Sequence, residues 1–201
     1  MKNLLIVLFL LFTSIGNCIE KKAIILIGPP ASGKGYLAHK ISQNMKYAHI
    51  STGDLLRQKL EPKDKNIMNS GKLINKDIIN QVIQEYIDSN PSDGYIFDGI
   101  PRSKEQIAEL NTILKNNNIS LLKTVIIECP ENDLMLNMKQ RSKKERRLDD
   151  NAKTIKKRIT LYKQKSPEII EYYKKTYPHD IVTIKCKTDN MYEVFQASLK
   201  G

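Results

Sequence analysis

Two kinds of apolar pattern alternate along this chain. Short unbroken runs predict strands buried on both faces, and stripes at helical spacing predict amphipathic helices between them. Lys21 to Ile27, with Ala23-Ile24-Ile25-Leu26-Ile27 at its heart, is the first strand, and Leu37, Ile41 and Met45 mark the helix after it. Tyr47 to Ile50 is a short second strand, with Ser51 or Thr52 as N-cap of a helix through Leu55 and Leu56. Glu61 to Asn69, with its proline and lysines, reads as a connection; after Gly71 a helix carries Ile74, Ile78, Val82 and Ile83. The dense turn signal Asn90-Pro91-Ser92-Asp93-Gly94 launches a third strand at Tyr95-Ile96-Phe97. Ser103 caps a helix through Ile107, Leu110 and Leu114 that ends at Asn116-Asn117-Asn118. Leu121 to Cys129 is the fourth strand, Leu134 to Arg141 a helix, and Ser142 to Asp150 a charged, mobile connection. A long helix from Asn151 to about Tyr173, a strand at Ile181 to Lys185 and a helix at Met191 to Leu199 complete the chain.

Five such alternations demand crossover connections. They predict an α/β fold with a five-stranded parallel sheet and helices on both faces. Ligands of such sheets sit beyond the carboxyl ends of the strands, where Gly28 to Gly35, Ser51-Thr52, Asp98 and the turn at Cys129 all fall.

The stretch Gly28-Pro29-Pro30-Ala31-Ser32-Gly33-Lys34-Gly35 stands between the first strand and its helix. Backbone N–H groups at such a junction have no intrahelical partners, so they converge on an anion with the helix dipole behind them. Lys34 adds a mobile charge for the outer phosphates of a nucleotide. The stretch satisfies G-x-x-x-x-G-K-[ST] except at Gly35, which replaces Ser or Thr.

Composition changes this picture little. The chain has 201 residues, 40% of them hydrophobic, enough for one domain with a true core and room for a small insert. Its net charge of +11 invites a nucleic-acid partner, but the lysines are scattered, Trp is absent, and aromatic residues do not interleave with basic ones as stacking platforms would. A solvated surface and an anionic small-molecule substrate account for the charge, so no nucleic-acid partner is expected.

Met1 to Cys18 differs from the rest. Lys2, the apolar run Leu4 to Phe12 and the small residues Ser14 and Gly16 have the layout of a secretory signal peptide, with a cut after Gly16. The run falls short of the ~18–20 residues of a membrane span. Ser14-Ile15-Gly16-Asn17-Cys18 partly matches a lipoprotein signal, which leaves lipid attachment at Cys18 as a second possibility despite Asn17. No methionine occurs between Met1 and Met45, which lies beyond the glycine-rich loop. An exported protein is therefore expected, or a cytoplasmic one should the leader not function. Cys129 and Cys186 follow two predicted strands; a disulfide would require those strands to be neighbours, and two ordinary thiols are expected. No metal-ligand cluster is expected.

Three further stretches carry a family resemblance that, with the phosphate loop, covers nearly everything after residue 21. His49-Ile50-Ser51-Thr52-Gly53-Asp54-Leu55-Leu56-Arg57 resembles the S-T-G-D-L-L-R segment of adenylate kinases. Gly94-Tyr95-Ile96-Phe97-Asp98-Gly99-Ile100-Pro101-Arg102 resembles their G-[FY]-[ILV]-x-D-G-[FY]-P-R segment, followed by Gln106. Arg147-Leu148-Asp149-Asp150-Asn151, with Arg141 before it and Arg158 after, is similar to their arginine-rich lid and the helix behind it. The short-lid type is implied, since a zinc-bearing lid needs a cysteine cluster that this chain lacks.

The resemblance implies a P-loop nucleoside triphosphate hydrolase-like fold over 19–201, with an AMP-binding arm at about 51–80 and a lid at about 141–150. It implies Mg-dependent transfer of a phosphoryl group from ATP to AMP, giving two ADP, by a monomer. Lys34 and the loop residues Ala31, Ser32, Gly33, Gly35 and Tyr36, with Arg141, would hold ATP. Thr52, Arg57, Lys72, Leu73, Ile74, Gly99, Arg102, Gln106, Arg147 and Arg158 would hold AMP. Lys34, Arg102, Arg141, Arg147 and Arg158 would surround the moving group, and Asp98 would orient waters on Mg²⁺. Asp149 and Asp150 would pair with basic groups and shut the lid. Thr52 and Gln106 go with adenine in that family, which favours AMP as acceptor.

Three positions depart from the family pattern. Tyr36 stands for Thr, Ala31 for Gly, and Asn137 for an arginine that stacks on the ATP base. Loss of that stacking, worth ~0.5–2 kcal/mol, would raise the KM for ATP or broaden donor use. Two alternatives stay open: a nucleoside monophosphate kinase of other base preference, and an exported nucleotide-binding module without turnover. Cys129, Cys186 and the histidines are expected to have no functional role.

Overall fold

A computed structural model describes residues 20–71, 74–145, 152–186 and 190–200. The leader with Cys18, and Lys72, Leu73, Arg147, Asp149 and Asp150, lie outside the described residues. In chain order the elements are β1 (Lys21–Ile27), α1 (Lys34–Met45), β2 (Ala48–Ser51), α2 (Thr52–Lys59), α3 (Pro62–Asn69), α4 (Lys76–Ser89), β3 (Gly94–Asp98), α5 (Lys104–Asn116), β4 (Ile119–Glu128), α6 (Glu131–Glu145), α7 (Ala152–Thr176), β5 (Ile181–Lys185) and α8 (Met191–Ala197).

The five strands form one sheet in the order β2-β3-β1-β4-β5, every pair parallel. Period-two alternation sends successive side chains of β1 to opposite faces. Ala23, Ile25 and Ile27 join Tyr95 and Phe97 in a core covered by α2, α4, α5 and α7, whereas Ile24 and Leu26 join Ile96, Val125 and Ile127 in a second core with α1 and α8. From Ala23 to Ile27 both faces of β1 are dry, which is why that part of its sequence is continuously apolar.

Two local expectations differ from the structure. Glu61 to Asn69 is not a plain connection: Pro62 occupies the first turn of α3, where its missing N–H costs nothing, and Met68 buries the helix's inner face. With one buried residue, α3 has almost no apolar stripe to read. Helix α6 also runs past Arg141 to Glu145, so the first half of the expected charged connection is helical.

Cys129 and Cys186 are joined by a disulfide, not left as two thiols. Strands β4 and β5 pair with Glu128 opposite Lys185, so the two cysteines that follow emerge side by side, Cα atoms 5.1 Å apart. Spacing along the sequence does not reveal that β5 lies beside β4.

Candidate active site

The phosphate loop begins where β1 ends in the centre of the sheet. Gly28 is needed there: a Cβ would stand 2.8 Å from Ser32 Oγ and 3.2 Å from Ile127. The chain then turns through Ala31 (φ +64°) and Gly33 (φ +94°) into α1. Lys34 Nζ folds back and donates to the carbonyl oxygens of Gly28 and Pro29 at 2.9 and 2.8 Å, which shapes the loop around its own cation. Burial lowers the Lys34 pKa to about 8; Asp98 pulls it upward, and Arg102 and Arg141 push it further down. Ser32 Oγ is buried without a hydrogen-bond partner.

Beside the loop, β3 ends in Asp98. Burial raises its pKa, but His49, Lys34 and Arg102 outweigh that effect and leave the carboxyl below its ordinary value, hence ionised at neutral pH. His49 Nε2 stands 3.6 Å from Asp98 Oδ2, an ion-pair distance, and is buried without a hydrogen bond. The turn after β3 is tightly drawn. Gly99 has φ +91°, and a Cβ there would meet Thr52 Oγ1 at 2.5 Å and Arg102 Nη2 at 2.9 Å. Thr52 Oγ1 donates to the Asp98 carbonyl at 3.0 Å, and Arg102 Nε donates to the Gly99 carbonyl at 2.7 Å. Ser103 occupies the N-cap of α5 without a side-chain cap, and Gln106 Oε1 instead accepts from Arg102 N at 2.7 Å.

Ser51 caps α2, and its hydroxyl donates to Asp54 Oδ2 at 2.6 Å. Asp54 Oδ1 in turn accepts from Arg57 Nη1 at 2.6 Å and orients that guanidinium. Across the cleft, Arg158 on α7 donates to the Met68 carbonyl at 3.1 Å, and Thr154 donates to the Asn69 carbonyl at 3.0 Å.

These groups share one cleft of about 600 Å³. Lys34, Asp98, Arg57, Arg102, Arg141 and Arg158 all line it, as do Ala31, Ser32, Gly33, Gly35, Tyr36 and Gly99. The structure does not bring Thr52, Ile74 or Gln106 to its wall; Thr52 and Gln106 are buried behind it, holding Asp98 and Arg102. Lys72, Leu73 and Arg147 lie outside the described residues. Tyr36 is 53% exposed, with Lys40 Nζ 5.9 Å from its ring centre, so its ring faces outward at the mouth. Asn137 Nδ2 donates to the Ala31 carbonyl at 3.0 Å.

Sequence reasoning missed His49, Gln140, Tyr162 and Met191, which also line the cleft. His49 belongs to the stretch that contains Arg57, but what singles it out, a place on a strand directly beside β3, shows only in the sheet. Tyr162 and Met191 reach the cleft only because of how α7 and α8 pack, which no local pattern displays.

A phosphate loop at the head of a central parallel strand, facing an ionised carboxylate and four arginines, defines a P-loop phosphotransferase. A family model described as adenylate kinase matches residues 26–177, and the chain belongs to the adenylate kinase family. Similar proteins include the adenylate kinase of Prochlorococcus marinus subsp. pastoris, 36% identical over 160 residues that cover 77% of this chain and 84% of the relative. That of Thermus thermophilus is 34% identical over 158 residues, 76% of this chain and 83% of the relative. That of Leptospira biflexa is 34% identical over 162 residues, covering 77% and 87%.

Proposed function

We propose that this adenylate kinase moves the terminal phosphoryl group of ATP reversibly to AMP, with the cleft residues in the following roles. The loop amides and Lys34 hold the donor's phosphates. Arg57, steadied by Asp54, and Arg102, steadied by Gly99 and Gln106, hold the acceptor phosphate, because planar guanidinium forks grip phosphate oxygens at two points. Arg141 and Arg158 neutralise charge on the group in flight, joined by Arg147 from the lid. Such transfer needs alignment and cations more than covalent help. Closure of the arm at about 51–80 and the lid at about 141–150 excludes water, which would otherwise compete as acceptor.

The donor set suits magnesium. One ionised carboxylate, Asp98, faces the loop across Gly35, and the orphaned Ser32 Oγ lies in the loop itself. One carboxylate facing the loop, with the cleft's Asp54 engaged by Arg57, matches an ion that keeps most of its waters. When bound, Mg²⁺ supplies charge neutralisation between the phosphate oxygens; Asp98 would orient its waters.

The observation that carries this reading is the convergence of Lys34, Asp98 and four arginines, from five separate elements and the turn before α5, on one cleft. ADP formation from ATP and AMP in a coupled assay tests it. Lys34→Ala should lower turnover by about 10²–10³-fold, and AMP should be preferred over CMP, UMP and GMP. Nucleotide binding without turnover would leave only a nucleotide-binding module.

We also propose that the protein acts outside the cytoplasm as a monomer. The signal-like leader supports export, and the Cys129–Cys186 disulfide fits an oxidising compartment. Among the described residues no helix is long and apolar enough to cross a membrane. N-terminal sequencing and intact mass of the mature protein would distinguish a cut after Gly16 from acylation at Cys18.

A further inference from the structure

Two departures from the family pattern, Ala31 in the phosphate loop and Asn137 in α6, meet in one hydrogen bond. Ala31 has φ +64°, a left-handed conformation that a Cβ disfavours and glycine accepts freely. Its methyl group packs against the cluster of Leu134, Met138, Ile155 and Ile159, and its carbonyl accepts from Asn137 Nδ2 at 3.0 Å. Asn137 lies between Leu134 and Met138 on the inner side of α6 and one turn before Arg141, which lines the cleft. The half-buried amide therefore points at the backbone of the phosphate loop.

We propose that Asn137 is a positioning residue for the donor's phosphates: its amide holds the loop in the left-handed turn at Ala31, and thereby sets how tightly the loop grips a triphosphate. The proposal rests on the phosphate loop being the donor site. Without the amide, Ala31 relaxes toward ordinary backbone conformations and fewer molecules present a competent loop, so apparent affinity falls by that fraction. Arg141, carried on the same helix, keeps its distance to the loop through the same bond.

The test is a double-mutant cycle read with inorganic tripolyphosphate and with ATP, by calorimetry on the full-length protein. Asn137→Ala should weaken tripolyphosphate and ATP by the same factor, about three- to tenfold for one hydrogen bond, with the KM for AMP unmoved. In an Ala31→Gly background the same change should cost about two- to fivefold less, because glycine does not disfavour the turn. Equal losses in both backgrounds would show the two residues to be independent and overturn the proposal. A loss confined to ATP, absent for tripolyphosphate, would make Asn137 a base contact and overturn it as well. A wild-type protein that binds ATP but not tripolyphosphate would remove the donor-site reading and the proposal with it. Thermal melting of each variant separates these outcomes from unfolding, and Asn137→Asp supplies a second variant: a carboxylate cannot donate to the Ala31 carbonyl, so it should lose at least as much affinity as Asn137→Ala.

Discussion

Lys34 sits at the point where burial and function pull in opposite directions. The half-buried ammonium has a pKa of about 8 in the free protein, so it begins to discharge just above neutrality. Donor phosphates need the charged form. We expect kcat/KM for ATP to fall as pH rises through about 8, approaching tenfold per pH unit beyond it, because that quantity reports groups of the free enzyme. With a triphosphate in place the ammonium gains partners, so kcat should hold to higher pH; pH profiles of both parameters between about 6.5 and 9.5 check the difference. The stability effect has the opposite sign. Between about 8 and the ordinary value of 10.5 the unfolded chain binds the proton more firmly than the folded one, so stability rises with pH over that window. Gly99 offers a second test. A methyl group there meets Thr52 Oγ1 at 2.5 Å at a φ that alanine resists, so Gly99→Ala should cost ~1–3 kcal/mol in urea unfolding and raise the KM for AMP through the displaced Arg102.

Among elements, those whose signals are local are legible in the sequence. The apolar run of β1 and the loop after it locate Lys34, and the short motifs at β2 and β3 locate Arg57, Asp98 and Arg102. Helix α3 is not legible, because one buried methionine makes no periodic stripe. Nor are the roles of Thr52 and Gln106. Motif membership marks them as substrate contacts; that Thr52 also holds the Asp98 carbonyl and Gln106 the Arg102 backbone shows only in the structure. Substituting Gln106 by leucine should therefore act through Arg102: the backbone N–H of Arg102 loses its acceptor, for a cost of ~1–3 kcal/mol. We expect the KM for AMP to rise while the KM for ATP stays put, measured by varying each substrate at saturation of the other.

At the scale of the whole molecule, the sheet order decides what local patterns withhold. Placing β5 beside β4 turns two cysteines 57 residues apart into a covalent bridge at the carboxyl edge of the sheet. Closing a loop of that length restricts the unfolded chain, so Cys129→Ser with Cys186→Ser should lower stability by about 2–4 kcal/mol. Equilibrium unfolding in urea with and without a reducing agent would show the same difference in the unaltered protein. Mass spectrometry after alkylation under denaturing, non-reducing conditions should find neither cysteine labelled. The six cleft residues likewise come from β3, α1, α2, α6, α7 and the turn before α5, so their meeting is a property of the topology and not of any one segment.

Helix α7 touches both the loop proposed to hold the donor and the arm proposed to hold the acceptor. Its Thr154 and Arg158 hold the backbone at the end of α3, while its Ile155 and Ile159 pack with α6 and against Ala31. A rigid rod anchored to both binding segments makes them thermodynamic correspondents: whatever one nucleotide does to the rod's position, the other feels, and by linkage the favour is returned in equal measure. Any coupling between donor and acceptor should thus be equal in both directions, and Thr154→Val should weaken it before it weakens either nucleotide bound alone.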